Sequence, residues 1–197
     1  GLSGSDANET NVKIAWYYNN LRGKHRKKKI IARHRGYHGV TLLSGSLTGL
    51  ENVHKYFDLP LDFVRHADAP DCFHSPEVRA GMRPREYSAL LAQRLAALIE
   101  AEDPDTVAAF IAEPVMGTGG LIPPPDGYFE AITKVLQRYD VLFIADEVIT
   151  GFGRLGNWFG MQHFDFVPDL MTVAKGITSG YQPLSASLIG PRVWNVV

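Results

Sequence analysis

Cysteine is almost missing from this sequence: Cys72 is the only one in 197 residues. A lone cysteine excludes an intrachain disulfide framework and suits a reducing compartment, so the cytoplasm is the expected location. Long apolar runs are missing as well. Nothing approaches the roughly 20 uninterrupted apolar residues of a membrane span, and no basic segment followed by an apolar one opens the chain. Neither sign of charge is in excess: 20 Lys and Arg stand against 21 Asp and Glu, a net charge of -1. No global field therefore draws the protein to nucleic acid or to an anionic membrane, and small molecules or other protein surfaces are the expected partners. Internal repeats and low-complexity tracts are absent. So is a glycine-rich loop ending in Gly-Lys-Ser or Gly-Lys-Thr, without which Asp146-Glu147 does not read as the second acidic motif of an ATPase. An initiator methionine is lacking too, and Gly1-Leu2-Ser3-Gly4-Ser5 runs straight into helical sequence, as if cut from a longer chain.

With 45% hydrophobic and 21% charged residues, the chain fits one α/β domain able to bury a sizeable core. Ala7, Val12, Ile14, Ala15 and Tyr18 fall at mostly helical spacing and predict a helix from near Ser5 to Leu21. The basic run Arg26 to Lys29 reads as a solvated lead into a strand at Ile30-Ile31-Ala32, and Leu61 to Arg65 as a short strand. A polar, proline-containing connection through Pro84 shows no strong periodicity. From Glu86 to Glu102, Leu90, Leu91, Leu95, Leu98 and Ile99 form the stripe of an amphipathic helix that Asp103-Pro104 stops. Then come three short, nearly continuous apolar runs: Val107 to Ala112, Val141 to Ala145 and Leu170 to Ala174. Such runs suit strands buried on both faces, and the helical stretch Gly127 to Arg138 separates the first two. The expected fold is α/β, with a predominantly parallel central sheet flanked by helices.

Chemistry-bearing residues follow each of these runs: Glu113 the first, Asp146-Glu147 the second and Lys175 the third. Ligands of open parallel sheets collect at the carboxyl ends of strands, so these side chains are expected to converge. A plain carboxylate–lysine ion pair satisfies the same spacing. Gly4-Ser5 at a helix start offers free amides to an anion, although Ser5 serves equally as an N-cap. Tyr37 can lay a flat ring over another ring, or simply pack. Together, Gly4-Ser5, Tyr37, Asp146 and Lys175 supply what a phosphorylated pyridine aldehyde requires: an anion cradle, an aromatic shelf, a carboxylate for the ring nitrogen and an amine for the aldehyde. His34 and His38 stand at i and i+4, the spacing of a helical metal pair, but on a segment that reads as strand.

The motifs Ser3-Gly4-Ser5-Asp6-Ala7-Asn8, Gly36-Tyr37-His38-Gly39, Ala112-Glu113-Pro114-Val115, Ala145 to Arg154 and Ala174-Lys175-Gly176 resemble, in this order, those of the class III aminotransferases, fold type I enzymes that use pyridoxal 5'-phosphate. The stretches Tyr37 to Pro60 and Gly180 to Pro183 look most like the ω-amino acid or amine:pyruvate branch. By matching position, the resemblance implies that Gly4 and Ser5 contact the phosphate and that Tyr37 and Val148 take the two ring faces. Asp146 would pair with the pyridine nitrogen, Lys175 would form the Schiff base, and Glu113 would lie near the cofactor. It also implies an amino donor, a keto acid acceptor and ping-pong half-reactions. Residues 1–197 would be a partial cofactor-binding large domain of a homodimer, without the preceding segment and the C-terminal small domain. An aminomutase or decarboxylase on the same fold, or a noncatalytic remnant, would keep the same cofactor residues.

Overall fold

The apolar runs form the middle of a six-stranded sheet in the computed structural model, which describes residues 1–197. The strands are β1 (Lys29–Arg33), β2 (Val64–Ala67), β3 (Val107–Ala112), β4 (Leu142–Asp146), β5 (Leu170–Val173) and β6 (Ala186–Ile189), in the spatial order β2-β1-β3-β4-β5-β6. All pairs are parallel except β5 with β6. The helices are α1 (Gly4–Leu21), α2 (Leu42–Leu47), α3 (Glu51–His54), α4 (Pro76–Arg79), α5 (Pro84–Ala101), α6 (Tyr128–Arg138), α7 (Gly160–His163) and α8 (Pro191–Trp194).

Every residue of β3, β4 and β5 is buried because helices cover both sheet faces. Alternation along a strand sends neighbours to opposite sides. Thus Phe110 and Ala112 pack with α5 and α6 residues such as Leu95 and Ile132, while Ala109 and Ile111 pack with Val12 and Ala15 of α1. The chain leaves β1 outward to β2 and returns to β3 on the other side of β1. That reversal opens a crevice at the carboxyl ends of β1 and β3.

Several expectations shift. Ser3, not Ser5, caps α1: its hydroxyl accepts the Asp6 amide at 3.2 Å, and the helix begins at Gly4. The strand expected at Leu61 to Arg65 lies at Val64–Ala67, because a turn with Val64 N–H on the Leu61 carbonyl precedes it, and Val64 is the residue that meets Ile30. The connection before Pro84 contains α4, capped by Ser75. β6 pairs along β5 at the sheet edge, and its half-exposed residues gave no apolar run.

The basic run before β1 is not solvated throughout. Lys27 is only 2% exposed. Its ammonium shares its three N–H bonds among the carbonyls of Val107 at 2.9 Å, Asp140 at 3.0 Å, and Pro104 and Tyr139 at 3.1 Å. Lys27 thereby ties the segments preceding β3 and β4 beneath the sheet, at the end opposite the catalytic candidates.

Candidate functional site

A cavity of about 310 Å³ opens at the carboxyl ends of the strands, lined by Gly4, Ser5, Tyr37, Glu113, Asp146, Val148 and Lys175. These seven positions singled out in the sequence therefore meet in one place, whereas Glu147, expected with them, does not line the cavity. Asn8 and His38 line it too.

The N-terminus of α1 forms one wall. Ser3 occupies the cap and takes the Asp6 amide, which leaves the Gly4 and Ser5 amides without intrahelical partners. The helix dipole adds partial positive charge at the same end. Glycine at position 4 is a matter of room: a Cβ there would sit 2.9 Å from Val148 Cγ2. Gly39 is constrained twice, by a φ of +127° and because a Cβ would collide with the Ser5 and Ser44 hydroxyls.

Tyr37 is half-buried on the loop after β1. Glu113, 3% exposed, fixes that loop: its Oε1 accepts the Tyr37 amide at 3.0 Å and its Oε2 the Gly117 amide at 2.9 Å. Burial pushes its carboxyl above the usual range, and Asp146 adds to this while the nearby His38 opposes it. Glu113 thus brackets the aromatic candidate between two strand ends.

Asp146 ends β4 at 4% exposure. Its Oδ2 accepts from Asn8 Nδ2 and from His38 Nδ1, each at 2.8 Å, and its Oδ1 accepts the Val148 amide at 3.1 Å. One lone pair of Oδ1 is left over in this inventory. The next residue points elsewhere. Glu147 accepts the amides of Gly160 at 2.9 Å and Met161 at 2.7 Å and the Thr150 hydroxyl, so it fastens the following loop. Burial raises its carboxyl too.

Lys175 follows β5 and opens a short 3₁₀ turn, Lys175–Thr178, with a φ of +41° and an exposed side chain. A lysine in the left-handed region is strained, and such strain gathers where the fold must aim a side chain. The ion pair that the spacing allowed does not form: Asp146 pairs with His38, while Glu113 and Glu147 accept backbone amides. Nor do His34 and His38 pair: the His34 ring lies 5.4 Å from that of His66, and no group of three or more His, Cys, Asp or Glu is placed to hold a metal.

The family model described as "Aminotransferase class-III" matches residues 2–197. The chain belongs to the class III aminotransferases. Among the relatives of this aminotransferase chain, the diaminobutyrate–2-oxoglutarate transaminase of Halomonas elongata is 57% identical over 100% of the chain and 42% of its own length. Gamma aminobutyrate transaminase 3, chloroplastic, of Solanum lycopersicum is 54% identical over 99% of the chain and 37% of its own length. The solved ω-transaminase from Pseudomonas jessenii in complex with PMP superposes with a TM-score of 0.96 at 48% identity, covering 100% of this chain and 43% of that one. The chain thus spans about two fifths of the length of these relatives.

Asn8 and His38 are the site residues that sequence reasoning did not single out for the cofactor. Both lie inside the motifs named above, but their contacts with Asp146 span 138 and 108 positions and become visible only in the fold.

Proposed function

We propose that this chain carries the catalytic lysine of a pyridoxal-phosphate-dependent transaminase that moves an amino group from an amine or ω-amino acid to a keto acid such as pyruvate. One observation carries the reading: Lys175, free of carboxylate partners, shares a cavity with Asp146 and with the unpartnered amides of α1.

The residues fit the cofactor. Two free amides at a helix N-terminus suit a phosphate, and Asp146 Oδ1 keeps a lone pair for a ring N–H. The cavity, about 310 Å³, is within the range of small-molecule sites. When bound, pyridoxal phosphate supplies an aldehyde carbon for amines and a protonated ring that withdraws electrons from the substrate carbon. Gly4 and Ser5 would hold the phosphate, Tyr37 and Val148 would flank the ring, and Asp146 would hold the proton on the ring nitrogen. Lys175 Nζ would be the amine that meets the aldehyde carbon. As a free amine, Lys175 would be placed to take the proton from the donor's amine-bearing carbon as a base and, once protonated, to return it as an acid. With a keto acid acceptor the same lysine would move the proton the opposite way.

The donor class is supported by the names of the relatives, which act on diaminobutyrate and gamma-aminobutyrate. The keto acid class is supported by the 2-oxoglutarate in one of those names. A homodimer is part of the proposal, and the exposed apolar Leu2, Val40, Leu42 and Tyr181 support it. A cytoplasmic setting rests on the single cysteine.

Titration with pyridoxal phosphate should produce a visible absorbance band, and borohydride should then fix the cofactor to the peptide containing Lys175. An adduct on another lysine would overturn the assignment. Turnover of an amine donor should require a keto acid; acceptor-independent product would point to an aminomutase or decarboxylase instead.

A further inference from the structure

Behind Asp146 lies a chain of buried polar side chains that reaches across the sheet to α1. Asn8 is 1% exposed, and Asn11 and Thr172 are 0%. Asn11 Nδ2 donates to the Thr172 hydroxyl at 2.7 Å, and that hydroxyl donates to Asn8 Oδ1 at 2.6 Å. Asn8 Nδ2 then donates to Asp146 Oδ2 and to the His38 carbonyl, both at 2.8 Å.

The directions in this chain are forced. A hydroxyl has one proton. The Asp146 carboxylate and the His38 carbonyl only accept, so Asn8 turns its NH₂ to them and its Oδ1 to Thr172, whose single proton goes there. The Thr172 oxygen is then left to accept from Asn11 Nδ2. The reverse orientation would place an amide oxygen against a carboxylate and a carbonyl, with the Thr172 proton aimed at an NH₂ group. Burial makes each mismatch expensive, since no water can replace a lost partner.

Position is fixed as firmly as orientation. Thr172 on β5 lies in register with Asp146 on β4. The neighbouring edge strand adds a further tie, Ser187 Oγ to the Ala7 carbonyl at 3.0 Å. The first turns of α1 are thus fastened to β5 and β6 by side chains, and the same asparagine that fastens them grips Asp146.

We propose that Thr172 and Asn8 are positioning residues that set Asp146 against the amide end of α1, fixing the distance and angle between the carboxylate that meets the ring nitrogen and the cradle that meets the phosphate. The inference rests on the cofactor reading above and deepens it. Neither residue touches the reacting atoms. Their effect is to leave Asp146 Oδ2 fully occupied by Asn8 and His38, so that Oδ1 is the oxygen offered to the cavity.

The test compares Thr172→Val, an isostere without the hydroxyl, with Thr172→Ser, which keeps it, in the purified full chain, using pyridoxal phosphate as the probe. Thr172→Val should weaken cofactor binding about tenfold, the scale of one charge-assisted hydrogen bond lost from its proper geometry. It should also raise the pH midpoint at which the visible band of the bound cofactor changes. A loosely held Asp146 protonates the ring nitrogen less completely, and the lysine-linked nitrogen becomes more basic as electron withdrawal fades. Thr172→Ser should restore both readouts. Cofactor affinity and midpoint unchanged in Thr172→Val would overturn the inference while leaving the cofactor reading intact. So would a serine variant that restores neither, because the loss would then belong to packing. Failure of the unsubstituted protein to take up cofactor would overturn the parent reading and this inference together.

Discussion

At Asp140 three cations share one carboxylate. Arg22 approaches at 3.0 Å, Arg192 at 2.6 Å, and Lys24 bonds the same side chain. Together they join the end of α1, the turn before β4 and α8 beneath the sheet. Burial alone would raise this carboxyl, but the hydrogen bonds from Lys24 and Arg22 and their charges outweigh it and hold it down to about 2. In the unfolded chain the same group titrates near 3.8. Between those values the unfolded state carries more protons, so stability rises with pH there; the contribution is complete above pH 4 and is lost as pH falls through 2. Discounted for partial exposure, it amounts to about 1 to 2 kcal/mol. The unfolding free energy of Asp140→Asn, measured by urea titration, should therefore trail that of the native sequence by a constant amount above about pH 4 and close the gap toward pH 2. A gap that stays flat across this interval would show that the cations do not depress the carboxyl.

Helix α1 illustrates how an element's start decides what its first amides can do. With Ser3 as the cap, removing its hydroxyl costs about 1 kcal/mol of stability. The Ser5 hydroxyl only accepts the Val40 amide at 3.3 Å, so Ser5→Ala should cost much less. Thermal melts of the two alanine variants should rank Ser3→Ala as the less stable; the opposite order would return the cap to Ser5. The helix itself was legible in the spacing of Val12, Ala15 and Tyr18, but its cap was not, because Ser3 and Ser5 are equally good capping residues and only the backbone turn selects one. β3, β4 and β5 were legible because strands covered on both faces must be apolar throughout. β6 was not, since an edge strand of four half-exposed residues carries no such demand. The same limit hid the function-bearing detail. Lys175, Asp146 and Glu113 announced themselves by following apolar runs, whereas Asn8 and Thr172 meet across 164 positions, and Lys27 finds its carbonyls about 80 and 112 positions away. No local pattern encodes a contact of that span.

On the scale of the whole molecule, the sheet is a shared wall between two apolar layers. One holds 19 buried residues, centred on α5, α6 and the stacked rings of Phe129, Phe143 and Phe166; the other holds 14, beneath α1. Each strand contributes to both, since alternate side chains face opposite ways. A loss on one side therefore loosens the strands on which the other side rests. Ile132, 1% exposed on α6, is wholly within the first layer. Truncation to alanine leaves a cavity and should cost about 3 kcal/mol. For a chain of this size that lowers the melting temperature by roughly 6 to 12 °C. Trp16 reports from the opposite layer, where its ring meets Phe63 edge-on at 5.4 Å and its indole N–H donates to the Lys28 carbonyl at 2.9 Å. If the sheet couples the layers, the Ile132→Ala transition followed by tryptophan fluorescence, with Trp158 and Trp194 replaced by phenylalanine, should move down by the same amount as the transition followed by far-ultraviolet circular dichroism. An unmoved Trp16 signal would mean that the α1 layer, which carries the amide cradle and the Asn8 grip on Asp146, holds its shape after the α6 layer has let go.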